Sequence, residues 1–223
     1  MCFSTTADVV AGGVLVPVAV LSLRQVTSAR ELPLAALPAI FALHQFIEAF
    51  VWAGADGDVS SGVAHAAAVG YVLIALPLLP ILFPRAVWLL EPHDSRRRMV
   101  PFVVLGAIVS AHLGYVVAAH GVSVTPHEHA LSYNIGMDDS VLWTALYVLA
   151  IVGTAALSRF PMVVAFGLLN LVGLTVVALA YAEAFASLWC VYAALSSALI
   201  LVHLIQRRRV AGEGRDTVVL VRR

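Results

Sequence analysis

His44 and Glu48 sit four positions apart in the stretch Leu43-His44-Gln45-Phe46-Ile47-Glu48, inside a long apolar run. On a helix that spacing stacks them on one face, about 5 Å apart along the axis, so an imidazole and a carboxylate can share one site. Ionisable groups at membrane depth cost roughly 3 kcal/mol even on lenient scales, which makes the pair a functional expectation. Its bland counterpart is a buried hydrogen-bonded pair that locks helix packing.

Other chemistry-bearing side chains fall toward the same, outer side. His65 opens one apolar run, and His112 lies in the outer half of another, with Tyr115 a turn on and His120 at the boundary. A polar stretch adds His127, Glu128 and His129, while Cys2 precedes the first run and Cys190 lies near the outer end of the last. Imidazole, thiolate and carboxylate together suit a transition metal, zinc or copper first and iron as a further option. The expected core is His44 and Glu48, with Cys2 and Cys190 as added ligands and His112, His127 and His129 as a second tier. If the site is catalytic, its metal activates water or cycles redox state, and Glu48 is the general base where it is not a ligand.

Alternatives stay open at this point. The loop histidines can simply be solvated. Cys2 and Cys190 can form a disulfide, in which case His44 and Glu48 would serve a small-solute or proton-coupled transporter or sensor. Removal of Met1 would place an amine beside the Cys2 thiol and make it a chelator or an activated nucleophile.

The elements that must position these residues are membrane helices. Of 223 residues, 61% are hydrophobic and 12% charged, more apolar surface than one soluble core could hide. Seven runs are long enough to cross about 30 Å of hydrocarbon: 7–24, 33–54, 62–83, 99–119, 139–157, 160–180 and 184–205. They are continuous and rich in Leu, Val and Ala, unlike the short alternating segments of a barrel. The expected fold is therefore an all-α bundle of seven spans over 1–206, with a short basic tail at 207–223 and no separate soluble domain. Pro38, Pro77 and Pro80 are expected to kink the second and third spans.

Arginine placement sets the orientation. Arg24, Arg30, Arg85, Arg96, Arg97, Arg98, Arg159 and the tail arginines from Arg207 onward all fall on one side, whereas the opposite connections carry only acids: Asp56, Asp58, Glu128, Asp138, Asp139 and Glu183. By the positive-inside rule the amino terminus is expected outside and the carboxyl terminus in the cytoplasm of a multi-pass cell membrane, a bacterial inner membrane. The first run lacks a preceding basic segment and an Ala-x-Ala-like exit, so it reads as a retained span. The arginine-rich face suits anionic membrane lipids, and its dispersal along span ends argues against nucleic acid. Self-association of the bundle is a further expectation.

All 13 basic residues are arginine, which excludes a retinal Schiff base and a pyridoxal phosphate aldimine. Phosphate-loop, His-Glu-x-x-His and Gly-x-Ser-x-Gly signatures are missing too. The last run holds only His203, which argues against the intramembrane zinc hydrolases of the alkaline ceramidase and adiponectin-receptor type. Three short motifs, the opening Met1-Cys2-Phe3-Ser4, the His44, Gln45, Glu48 group and Ser187-Leu188-Trp189-Cys190, resemble an uncharacterised family of bacterial multispan membrane proteins that begin Met-Cys-Phe-Ser. The resemblance implies the same multispan topology, points at Cys2, His44, Glu48 and Cys190, and implies no reaction.

Overall fold

A computed structural model describes residues 4–127, 130–180 and 195–209 of the chain, without the side chains of 174 and 176–180. The described residues are predominantly helical. Helix α1 (Thr5–Arg24) is capped by Ser4, whose Oγ accepts from the Ala7 amide at 3.3 Å. The short α2 (Leu32–Ala35) runs almost directly into α3 (Leu37–Ala55), which packs along α1. Pro38 lies in the first turn of α3, where the missing amide hydrogen costs nothing, so the expected kink is a helix start.

The third apolar run is one long, distorted helix. It is built from α4 (Ser61–Leu73), a π turn at Ile74–Leu78 and α5 (Leu79–Leu90). Pro77 lies inside the π turn and Pro80 just after it. Neither can donate to the ladder, so the distortion expected from these prolines is present and has an evident cause. Carbonyls in and before the turn take side-chain donors instead: Ala75 O receives the Tyr147 hydroxyl at 2.9 Å, and Tyr71 O lies 3.1 Å from Nε2 of His44.

A single turn, α6 (His93–Arg96), leads through a tight 3₁₀ turn into α7 (Val100–His120). The helices α8 (Ser140–Ala156) and α9 (Pro161–Ala180) follow, and α10 covers residues 195–209. Among the described residues, four stretches are long and apolar enough to cross a membrane: Thr5–Arg24, Leu32–Ala55, Ser61–Leu90 and His93–His120. Aliphatic side chains such as Val10, Val14, Leu43, Val104 and Ile108 stand exposed along them, as lipid-facing residues would. Ser140–Ala156 is apolar but shorter, α9 is apolar over the part Pro161–Gly173 whose side chains are all described, and residues 184–194 of the last expected span lie outside the described residues.

One element departs from an all-helical reading. Between α7 and α8 the polar stretch folds into an antiparallel hairpin, β1 (Ser123–His127) with β2 (Ala130–Asn134), in the register Ser123 opposite Asn134 and His127 opposite Ala130. The hairpin does not stand alone: Val122, Leu131 and Ile135 are buried against Val51, Tyr71 and Val116 of the helices. That apolar seat supplies what an isolated two-stranded ribbon lacks.

At the opposite end, helix ends are tied by carboxylates and arginines. Oε1 of the buried Glu91 accepts from the Ser158 hydroxyl at 2.7 Å and from the Arg159 amide at 2.8 Å, holding the entry to α9 against the end of α5. Arg159 pairs with Asp94 at 2.9 Å, and Arg96 donates to the carbonyls of Glu91 and Leu89. Arg207 of α10 lies 3.6 Å from Glu31, whose other oxygen accepts from the amide and hydroxyl of Thr27. Arg208 reaches the Arg24 carbonyl. The arginine-bearing ends that the sequence assigns to one side thus come together in space. Replacing Glu91 by Ala strands two donors at once and should cost about 2–3 kcal/mol, seen as a lower thermal midpoint in detergent, while Glu91→Gln, which keeps an acceptor, should lose less.

Candidate functional site

The buried face of α3 builds the site. Gln45 and Glu48 are 0% exposed and His44 is 1% exposed, although two of the three are ionisable. They are buried because α3 is enclosed by α1 on one flank and α4 on another, so the face bearing the polar residues turns into protein and not toward lipid. Groups of this kind are tolerated at membrane depth only where protein or a polar cavity surrounds them.

His44 is oriented twice over. Its Nε2 lies 3.1 Å from the Tyr71 carbonyl, and since a carbonyl can only accept, Nε2 carries the hydrogen. In the neutral ring Nδ1 then holds the lone pair. The imidazole also stacks on the Tyr71 ring, centroids 3.9 Å apart at 18°, and Tyr71 stacks in turn on Tyr133, at 4.4 Å and 11°. Three rings from α3, α4 and β2 thus form one column. Aromatic stacks add about 0.5–1.5 kcal/mol each beyond the area they bury.

Glu48 lies beside this column. The Tyr71 hydroxyl is close enough to interact with its carboxylate, although neither oxygen makes a hydrogen bond of strict geometry among the described residues. The second acid is Asp8, in the first turn of α1, 0% exposed and within electrostatic reach of Glu48. On the hairpin, burial pushes the Tyr133 phenol well above its ordinary range, and the nearby carboxylates of Glu48 and Asp8 push it further. Two acids, an imidazole and two phenols therefore share one buried region.

The other expected ligands are distributed differently. His112 lies flat on Trp143, ring centroids 3.5 Å apart at 9°, between α7 and α8. His127 is exposed at the end of β1. Cys2, His129 and Cys190 lie outside the described residues. Among the described residues, no three His, Cys, Asp or Glu side chains form a group able to hold a metal ion by themselves.

Sequence reasoning missed Asp8, Tyr71 and Tyr133. Asp8 carries a readable signal, a lone acid within the first turn of an apolar helix. The tyrosines carry none, because only the fold brings α4 and β2 onto His44.

A family model matches residues 1–216, that of DUF6629, described as a family of unknown function. No curated protein and no solved structure matches the chain.

The ring column makes a stability prediction. Removing its middle member with Tyr71→Ala should cost about 3–5 kcal/mol through the cavity left in the core, whereas Tyr71→Phe keeps the stack and should cost about 1 kcal/mol. Thermal unfolding of the purified chain in detergent reads both, and equal losses would place the contribution in the hydroxyl instead of the ring.

Proposed function

Taking as premise that the chain belongs to the DUF6629 family, we propose that it is a seven-span protein of the bacterial inner membrane, amino terminus outside, that binds a single transition-metal cation in the outer half of its bundle. The observation that carries this reading is the complete burial of His44 and Glu48 on one face of α3, with the Asp8 carboxylate in electrostatic reach. Two carboxylates in a low-dielectric region cannot both stay ionised unaided, and a bound cation or a shared proton relieves the repulsion. The His44 arrangement favours the cation. A ring whose Nε2–H is given to a backbone carbonyl presents Nδ1 in a fixed direction, as metal-ligating histidines do.

His44 and Glu48 are the core ligands in this reading, and the Asp8 carboxylate supports the cation by its charge without ligating it. Cys2 and Cys190 complete the set from outside the described residues, which is consistent with the absence of a full ligand group within them. Zinc or copper suits such donors best, and iron is the further option. A bound ion of this kind acts as a Lewis acid or cycles redox state, and Glu48 is then the residue placed to take a proton. The opposite, arginine-rich end rests against anionic lipid headgroups.

A second reading has its own support. The Tyr71 and Tyr133 phenols beside Glu48 resemble a proton path, and a transporter or sensor would use His44, Glu48 and Asp8 to pass protons or a small cation, with Cys2 and Cys190 joined as a disulfide.

Elemental analysis of the unchelated, untagged protein, paired with intact mass, separates the two. The metal reading expects near-stoichiometric zinc, copper or iron with reduced cysteines, lost in His44→Ala. A metal-free chain lighter by about two hydrogens would overturn it. Proteoliposome flux that depends on Glu48 would then establish the transport reading.

A further inference from the structure

The hairpin between α7 and α8 is placed where a covering element would be. Its one aromatic residue that turns inward, Tyr133, is the end member of the ring column, so that Tyr71 lies between it and His44. The Tyr133 hydroxyl is buried without a hydrogen-bond partner among the described residues, and it lies within electrostatic range of Glu48 and Asp8. A phenol in that position both closes the apolar seat and presents a polar tip to the acids beneath.

The attachment of the two strands also differs from that of the helices. Immediately outside the hairpin's buried ends stand Gly121, with φ 76°, and Gly136, with φ 62°. Both conformations belong to the region that glycine alone enters without strain, so the ribbon joins the bundle through a glycine at each end. Between them, β1 is almost wholly exposed, and the ribbon is held by a short row of apolar contacts through Val122, Leu131 and Ile135. A two-stranded ribbon with one narrow seat opens locally at far lower cost than the bundle unfolds.

We propose that the β1–β2 ribbon is a lid over the Asp8, His44 and Glu48 site, with the Tyr133 ring as its latch. Unstacking Tyr133 from Tyr71 swings the ribbon on Gly121 and Gly136 and exposes Tyr71 and the acids behind it. The occupant of the site, a cation or a proton-carrying water, enters from this end of the bundle. Tyr133 is thus a positioning residue that sets the rate of exchange and not a residue of the reaction. This inference rests on the reading that the buried acids and His44 form a binding site, and it holds for either occupant.

The test uses diethyl pyrocarbonate on the full chain in detergent with EDTA present, with modification of each histidine followed by peptide mass spectrometry. The exposed His65 and His127 serve as fast references, and the buried His203, at the other end of the bundle, reports an intact fold. In the wild-type chain His44 should react far more slowly than the references. Tyr133→Ala should speed His44 modification about tenfold or more with His203 still protected, and Tyr133→Phe, which keeps the latch ring, should not. Leu131→Ala, which loosens the seat and leaves all three rings of the column in place, should also speed it and carries the test if Tyr133→Ala exposes His203 as well. His44 that stays equally protected in the variants that keep His203 buried overturns the lid. Because the readout needs no metal, that failure is distinct from failure of the metal reading, which elemental analysis of the wild-type chain decides.

Discussion

Burying the Glu48 carboxylate at membrane depth within electrostatic reach of the buried Asp8 is the constraint around which one end of the bundle is arranged. Lipid can solvate neither group, so both must turn inward, and the face of α3 that holds Glu48 is enclosed between α1 and α4. Enclosure then demands partners for the neighbouring His44, and the nearest backbone acceptor is a carbonyl close to the π turn of the third long helix. The prolines that distort that helix are therefore coupled to the site: they disturb the ladder close to Tyr71, whose carbonyl and ring both engage His44. A helix of regular geometry through residues 61–90 would present those groups differently.

The two ends of the molecule handle charge in opposite ways. At the arginine-bearing end, carboxylates are matched by nearby donors: Glu91 by Ser158 and Arg159, Glu31 by Thr27 and Arg207, Asp94 by Arg159. These contacts link the ends of successive helices, which gives them a structural reading. At the other end, Glu48 lies within electrostatic reach of another acid, and among the described residues its oxygens have no hydrogen bond of strict geometry. Stability alone does not account for an acid pair in that position, because well-packed apolar residues would serve the core as well or better. Functional sites are where such local violations are expected.

Much of this was legible in the sequence because membrane helices announce themselves by long apolar runs. The runs at 7–24, 33–54, 99–119, 139–157 and 160–180 fall within a few residues of observed helices, and the one at 62–83 continues to Leu90 because Pro84 is accommodated inside α5. His44 and Glu48 were legible for the same reason, since ionisable groups stand out against an apolar run. The hairpin was not. A polar stretch with a proline at Pro126 reads as loop, and its strands are stabilised by burial of Leu131 and Ile135 against distant helices, which is a tertiary effect. The partner of His112 was equally illegible: Trp143, thirty-one positions on, stacks on its ring, a contact that only the packing of α7 on α8 creates.

Asp8 illustrates what separates a surface acid from a site acid. By position it resembles any acid near the mouth of a span, where water is expected to solvate it. Its burial follows from the packing of α1 against α3, which carries the first turn of α1 toward the level of Glu48. Because α1 and α3 are antiparallel neighbours, the beginning of one lies beside the later half of the other, and an acid in the first turn of α1 meets an acid in the second half of α3. The connectivity of a two-helix hairpin thus brings two acids forty positions apart within electrostatic reach of each other. Neither residue stands out as a site alone, and what the fold concentrates at this end of the bundle is buried negative potential, which a cation or a proton would relieve.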